Sequence, residues 1–474
     1  MTSPEPGSSE TLRLGTYGAV LLLVGGLLVS PLPASCWLDQ LAARDSVTGR
    51  MIGIVAVGVG LAVMAAAWVR LWRAAGAGLA DLAVVRRATA AWCAPLLLAP
   101  PLFSRDGWSY AAQGELTRLG LSPYVWGPGI LHGPIVEAVD PRWMTTPTPY
   151  GPLPLLWGAG AAAIVEDPWL LVVAHRLLAL AGLLLLAWAL PRLAGWTGRE
   201  PVLVSAVVLP SPLVLAHGVG GLHNDLVMVG LAAAALVVAA ERGWLPGAVV
   251  GGLAAAVKVP GGLVCVGVAL VTLPVAATWS ARLRRLAGVG AVSVATLVGT
   301  GYVSRVGPGW VAALGVPAQI DTPLSVTTQL GRLVPGVEVV GAALVVATAC
   351  WTALWWPTGT TAGGLHAATC ALTVTVLLSP VVQPWYFLWC VPLLAACALG
   401  PGSRAVLTWV TLALGVSAPL GSSLQGRPVA TVVTTALVLG ALVVLARSIR
   451  QPVRQPVRQS APSDHLEAPR AAAW

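Results

Sequence analysis

Read for hydropathy alone, the chain is a succession of long apolar runs separated by short polar punctuation. Fourteen runs fall at about 17–36, 51–69, 90–103, 169–190, 202–217, 226–240, 245–257, 261–278, 286–303, 337–356, 365–379, 385–399, 405–420 and 429–446. A helix crossing the hydrocarbon core needs roughly 20 mainly apolar residues, so the pattern predicts an all-α polytopic membrane protein of about 14 transmembrane helices. Glycine and alanine recur within the runs, as suits helices that approach one another closely in lipid. The stretch 151–165 is apolar but short for a span. It is read as an interfacial or re-entrant helix, because a crossing there would invert every later connection.

Arginines set the orientation, since they concentrate on the cytoplasmic side of membrane proteins. With the N-terminus inside and alternating spans, the inside connections carry Arg70 to Arg87, Arg192 to Arg199, Arg242, Arg282 to Arg285, Arg404 and the tail arginines. The outside then receives a long loop at 104–168, a turn from His217 to Asp225, the turns around Lys258 and Gln383, and a second loop at 304–335. Residues 1–12 read as a disordered N-terminus, 13–450 as the transmembrane domain and 451–474, with its repeated QPVR, as a disordered basic tail.

Composition strengthens this picture. The 474 residues are 57% hydrophobic and 9% charged, with mean hydropathy +0.82, against about 25% charged residues in soluble domains. The formal charge of +9 follows from arginines at span ends; without an aromatic-basic motif it does not point to nucleic acid. Seven cysteines lie in or beside apolar runs with no CxxC pair, and read as packing residues.

Almost all polar chemistry other than arginine lies outside. In SRDGWSYAAQGELTRLG, Asp106 begins a segment on which Ser109, Tyr110 and Gln113 share its helical face. A carboxylate there suits a general base acting on a sugar hydroxyl, or a helix N-cap at the membrane surface. Glu137 and Asp140 in IVEAVDPRW suit metal or acceptor-sugar contact, or a solvated turn before Pro141, and Glu115 with Arg118 suits a helix-surface pair. His223 and Asp225, in AHGVGGLHNDLVM with His217 and Asn224, form a polar cluster between two runs, either functional or a capped turn. Lys258, the sole lysine, is a candidate phosphate ligand or a snorkelling cation. Arg176 lies within an apolar run and needs a partner, either Asp106, Asp225 or a lipid phosphate. Six aromatics (Trp108, Tyr110, Tyr124, Trp126, Trp143, Tyr150) surround the acids as interface anchors or sugar platforms.

These motifs have a family likeness. SRDGWSYAAQGELTRLGLSPYVWGP, TPTPYGPLPLLWGAG, AHRLLALAG, GLHNDLVMVGLAAAAL, AAAVKVPGG and SPVVQPWYFLW resemble, in this order, the actinobacterial polyprenol-phosphomannose-dependent α-1,6-mannosyltransferases of the MptA/MptB type, members of the GT-C superfamily. The resemblance implies a GT-C-type helical bundle in the cell membrane with an extracytoplasmic site. It further implies transfer of mannose from polyprenyl phosphomannose to a mannolipid acceptor during lipomannan and lipoarabinomannan-type envelope synthesis. Asp106 is carried over as base, Lys258 and Arg176 as groups near the lipid phosphate, and His223 and Asp225 as members of a family motif without an assigned role. Gln383 stands where histidine is expected in many relatives. No cofactor is implied, and the acids are too sparse to demand a divalent metal. The alternatives are a GT-C transferase with another lipid-phosphate donor, such as a pentofuranosyl lipid, and a flippase of lipid-linked sugar. No internal repeat of the kind transporters carry is evident.

Overall fold

The computed structural model describes residues 6–316, 322–421 and 428–450, and all regular elements among them are helical. The helices used below are α1 (Pro6–Val29), α2 (Val47–Gly76), α3 (Leu82–Leu96), α4 (Asp106–Arg118), α5 (Pro152–Ala162), α6 (Pro168–Trp196), α7 (Pro201–Val208), α8 (Asp225–Arg242) and α9 (Trp244–Val257). Further along come α10 (Val264–Val271), α11 (Trp279–Val303), α12 (Val337–Trp355), α13 (Thr361–Leu378), α14 (Pro401–Val416) and α15 (Pro428–Arg450).

The fourteen apolar runs are helical over half or more of their length, but they are not fourteen equivalent spans. Six helices among the described residues are long and apolar enough to cross a membrane. The pair α7 and Leu213–Gly220, bent by 55°, adds a seventh if taken as one span. Several others are short: α9 has 14 residues, about 21 Å at 1.5 Å per residue, against a hydrocarbon core of about 30 Å. Pro and Gly interrupt the runs at 202–217, 261–278 and 385–399, leaving π- or 3₁₀-helical pieces. The first helix starts at Pro6, earlier than the expected boundary at residue 13, whereas residues 1–5, Asp321 (a weak candidate for substrate contact in the second loop expected at 304–335) and the tail 451–474 lie outside the described residues.

At the centre is α8. Its side chains from Leu226 to Val237 are apolar all round and nearly all buried, the signature of a helix with neighbours on every side. It packs on α6, α9 and α10. Its contact with α6 is a glycine seam: a Cβ at Gly182 would sit 2.4 Å from Val227 Cα, and one at Gly230 would sit 2.3 Å from Gly182 O.

The stretch expected to be an interfacial or re-entrant helix forms α5, with 11 residues, too short to span. It lies against α4, where a Cβ on Gly114 would come within 2.6 Å of the Gly158 backbone. Two main-chain hydrogen bonds then tie the loop 104–168 to the bundle. Leu102 N donates to Gly220 O at 2.9 Å, and Gly151 N donates to Val257 O at 2.8 Å. The first brings Asp106 to the His217–Asp225 turn; the second brings Tyr150 to Lys258.

Candidate active site

Asp106 is the first residue of α4 and is 8% exposed. Its side chain does not cap the helix. Asp106 Oδ2 lies 3.4 Å from His223 Nδ1, and its main-chain N–H donates to Ser104 Oγ at 3.1 Å. Both segments reach this position through left-handed residues, Phe103 (φ 64°) and Leu222 (φ 59°), a conformation costly for bulky side chains. Their strain is concentrated where Asp106 and His223 are set face to face.

Burial opposes ionisation of Asp106, but the close imidazole of His223, with Ser104 and Lys258 behind it, outweighs burial and holds the carboxyl below its ordinary value. Asp106 is therefore a carboxylate at neutral pH. Tyr110 and Tyr150 go the other way: burial, reinforced by Asp106 and Asp225, raises both well above the usual phenol value. They remain neutral and act through their hydroxyls, which share a 2.8 Å hydrogen bond.

The expected helical face is present. Asp106, Ser109, Tyr110 and Gln113 line one cavity, closed on its other sides by Trp143, Thr146, Pro149 and Tyr150 of the same loop and by Gln383, Trp385 and Tyr386. Gln113 Oε1 accepts from Thr148 Oγ1 at 3.0 Å, and Tyr124 Oη donates to Tyr150 O at 3.0 Å. The cavity is only ≈ 40 Å³, far below the roughly 300–1,000 Å³ of pockets enclosing a small ligand. A hexose enters only if the wall formed by 143–150 and 383–386 moves.

Lys258 ends α9 in an extended conformation. Its ammonium donates to Asp225 Oδ1 at 3.1 Å, with Asp225 fully buried at the first position of α8, where the helix N-terminus favours a negative charge. Trp389 Nε1 donates to the same Oδ1. The ammonium also lies 3.9 Å from the centre of the Tyr386 ring, 4.9 Å from that of Trp389 and 5.3 Å from that of Tyr150. Asp106 and Lys258 thus meet the same two tyrosines, one from the cavity and one against the rings. Several buried polar atoms nearby have no protein partner, among them Ser109 Oγ, His223 Nε2, Asn224 Nδ2 and Asp225 Oδ2, so the cluster retains hydrogen-bonding capacity.

Two expected site residues lie elsewhere. Arg176 pairs with neither Asp106 nor Asp225. Its five N–H groups are taken by the carbonyls of Leu97, Ala99, Pro100, Val219 and Gly220. An arginine with no carboxylate in reach becomes a clamp that joins the residues just before Asp106 to those just before His223. Glu137 is exposed and accepts from the main-chain N–H and Oγ of Ser35 at 3.0 and 3.1 Å, away from the cavity lining. Asp140 pairs with Arg142, and Glu115 forms the expected surface pair with Arg118.

Trp385, Tyr386 and Trp389 were not singled out by residue type. The Trp385 ring stacks on His223 with centroids 3.8 Å apart and planes at 10°, and Tyr386 stacks on Trp389 at 4.5 Å. Their signal was the density of aromatics in QPWYFLW, just after Gln383.

Comparison with known proteins gives the arrangement a context. Residues 12–274 match the family described as "Alpha-(1->6)-mannopyranosyltransferase, N-terminal domain", and 309–447 match an MptB C-terminal domain. Alpha-(1->6)-mannopyranosyltransferase A of Mycobacterium tuberculosis is 33% identical over 456 residues, covering 86% of this chain and 84% of the relative. A probable alpha-(1->6)-mannopyranosyltransferase of Mycolicibacterium smegmatis is 31% identical, with 86% and 83% covered. Alpha-(1->6)-mannopyranosyltransferase B of Corynebacterium glutamicum is 30% identical, with 82% and 73% covered.

Proposed function

Because the chain belongs to the alpha-(1->6)-mannopyranosyltransferase family, we propose that it moves mannose from polyprenyl phosphomannose to a mannolipid acceptor, forming an α-1,6 linkage. The reaction takes place at the extracytoplasmic face of the cell membrane, in the synthesis of lipomannan-type glycolipids. One observation carries this reading. An ionised carboxylate in an aromatic-walled cavity, and a buried ammonium behind two of that cavity's tyrosines, are brought together by four segments distant in sequence. The same segments are those placed outside by the arginine pattern.

In this mechanism the acceptor's C6 hydroxyl occupies the cavity beside Asp106. As its oxygen attacks the anomeric carbon, its proton passes to the Asp106 carboxylate. The bond from the anomeric carbon to the phosphate oxygen breaks, and the electron pair leaves with the lipid phosphate. Attack from the face opposite the phosphate inverts the centre, giving an α linkage from a β-linked donor. His223 holds Asp106 ionised and oriented; Tyr110 and Gln113 supply hydroxyl and amide contacts to sugar. The Lys258–Asp225 pair presents its ammonium toward the departing phosphate, where a fixed positive charge stabilises the anion that develops.

The test is direct. Purified protein in detergent or nanodiscs, given radiolabelled polyprenyl phosphomannose and a short mannolipid, is expected to yield a product extended by one α-1,6-linked mannose. Absence of transfer from this donor, with transfer from a pentofuranosyl phospholipid instead, would overturn the donor assignment. Movement of the lipid-linked sugar across the bilayer without transfer would overturn the enzymatic reading.

A further inference from the structure

A much larger cavity, ≈ 1220 Å³, lies on the other side of α4 from Asp106 and shares no lining residue with the Asp106 cavity. Glu115, which borders it, follows Asp106 by nine positions, about two and a half helical turns, and so occupies the opposite face of that helix. The floor is apolar, made by Leu23 and Leu27 of α1, Leu98 after α3, and Leu170 and Leu171 of α6. The rim is polar, carrying Glu115 and Arg118 from α4, His132, and Glu166 and Asp167 from the turn into α6, where Asp167 also caps the helix by accepting from Leu170 N–H. Two indoles flank it, Trp37, 70% exposed, and Trp169. Leu98 and Leu170 are more than half exposed, so the floor opens toward lipid.

A groove that is apolar at span depth and polar at the span end matches an amphiphile. Its charge selects among amphiphiles. Three carboxylates face one imidazole, His132, and one guanidinium, which is already bound to Glu115 at 2.6 Å, so negative charge is in excess and the rim disfavours an anionic headgroup. Carboxylates instead accept hydrogen bonds from sugar hydroxyls, and an exposed indole offers a flat apolar face to the C–H side of a pyranose. We propose that this groove seats the lipid-anchored acceptor: its hydrocarbon chain lies on the leucine floor, and uncharged sugar residues remote from the reacting hydroxyl lie along the acidic, tryptophan-flanked rim. The inference rests on the mannosyl-transfer reading for its substrate class. Donor and acceptor lipids would then approach α4 from opposite sides, with only the acceptor's terminal sugar passing to Asp106.

The experiment uses the full chain in nanodiscs and two acceptors, octyl α-1,6-dimannoside and untailed α-1,6-mannobiose. Filling the floor with Leu27→Trp and Leu98→Trp is expected to raise the KM for the octyl acceptor at least tenfold. The KM for mannobiose, the donor KM and kcat should stay within twofold. Glu166→Gln is expected to raise the KM of both acceptors about threefold. An unchanged octyl-acceptor KM in the floor variant, or a rise in donor KM, would overturn the proposal. Should the floor variant misfold, an octyl dimannoside carrying a diazirine in its chain, crosslinked to the unaltered protein, reads the same point. Label is expected at 23–27, 98 and 170–171, competed by excess octyl dimannoside and not by phosphatidylglycerol. Equal competition by phosphatidylglycerol, or label elsewhere, would count against it. The crosslink needs no turnover, so a protein that transfers no mannose defeats the activity proposed above while the groove is still decided.

Discussion

Lys258→Met and Asp225→Asn, singly and together, separate what the buried ion pair does for the fold from what it does for transfer. Asp225 is fully buried and Lys258 is 5% exposed. The methionine variant leaves the Asp225 carboxylate with only Trp389 Nε1–H on Oδ1 and nothing on Oδ2. Removing one member of a buried pair costs about 3–5 kcal/mol. Part of that is the loss of the ammonium from the Tyr386 ring, which contributes about 0.5–2 kcal/mol. Asp225→Asn strands the ammonium at a similar cost. The double variant replaces two charges with neutral groups of comparable size, a change that is often near neutral, so it should recover most of the loss, a coupling of about 3 kcal/mol. Unfolding in mixed micelles followed by tryptophan fluorescence reads this cycle. Transfer reads the other half. If the ammonium supports phosphate departure, the refolded double variant still loses at least tenfold in donor kcat/KM, about 1.4 kcal/mol. Additive stability losses would refute the pair as an energetic unit, and full transfer by the double variant would refute the phosphate role.

Other outcomes follow from the same geometry. Arg176→Leu takes the guanidinium from five carbonyls, of which Gly220 O alone keeps a main-chain donor, Leu102 N–H; each buried carbonyl left unsatisfied costs about 1–3 kcal/mol, so the folded yield in detergent should fall sharply, while surviving protein keeps its donor KM. Gly158→Leu forces α4 and α5 apart where their backbones touch, with an expected stability loss of about 1–3 kcal/mol and a transfer loss larger than the stability loss explains. Because the Asp106 carboxyl is held below its ordinary value of 3.8, kcat/KM against pH should show its acid limb below that value. Loss of the base occurs as pH falls through the folded-state value. His223→Gln removes the imidazole whose contact depresses it while burial, which raises it, remains, so the limb should move upward; a limb unmoved or shifted down would contradict the assigned cause.

The sequence disclosed the helical class and the membership of the site more fully than its contacts. Asp106, Ser109, Tyr110 and Gln113 were legible as one face because helical periodicity is local. Alternation about the arginines led to the expectation that Asp106, His223, Lys258 and Gln383 share one side, and the structure brings their four segments together. Partner choice was not legible. Arg176 needed a counter-charge by composition, yet carbonyls freed by the irregular stretches at 97–100 and 219–220 supplied all five acceptors. Glu137 was paired in sequence with Asp140, but the fold gave it Ser35 from the preceding loop. The span count fared less well because hydropathy does not register helix breaks: at 384–396 the helix breaks at Cys390, with Pro392 opening the second piece, and one apolar run becomes two short pieces.

The most direct measurement of the central claim is mannosyl transfer by Asp106→Asn beside the unaltered protein, with equal membrane accumulation and equal unfolding midpoints as the condition of comparison. Loss of a general base predicts a fall of at least about 100-fold in kcat with little change in donor KM. Undiminished transfer by the asparagine variant would contradict Asp106 as the group that takes the acceptor's proton.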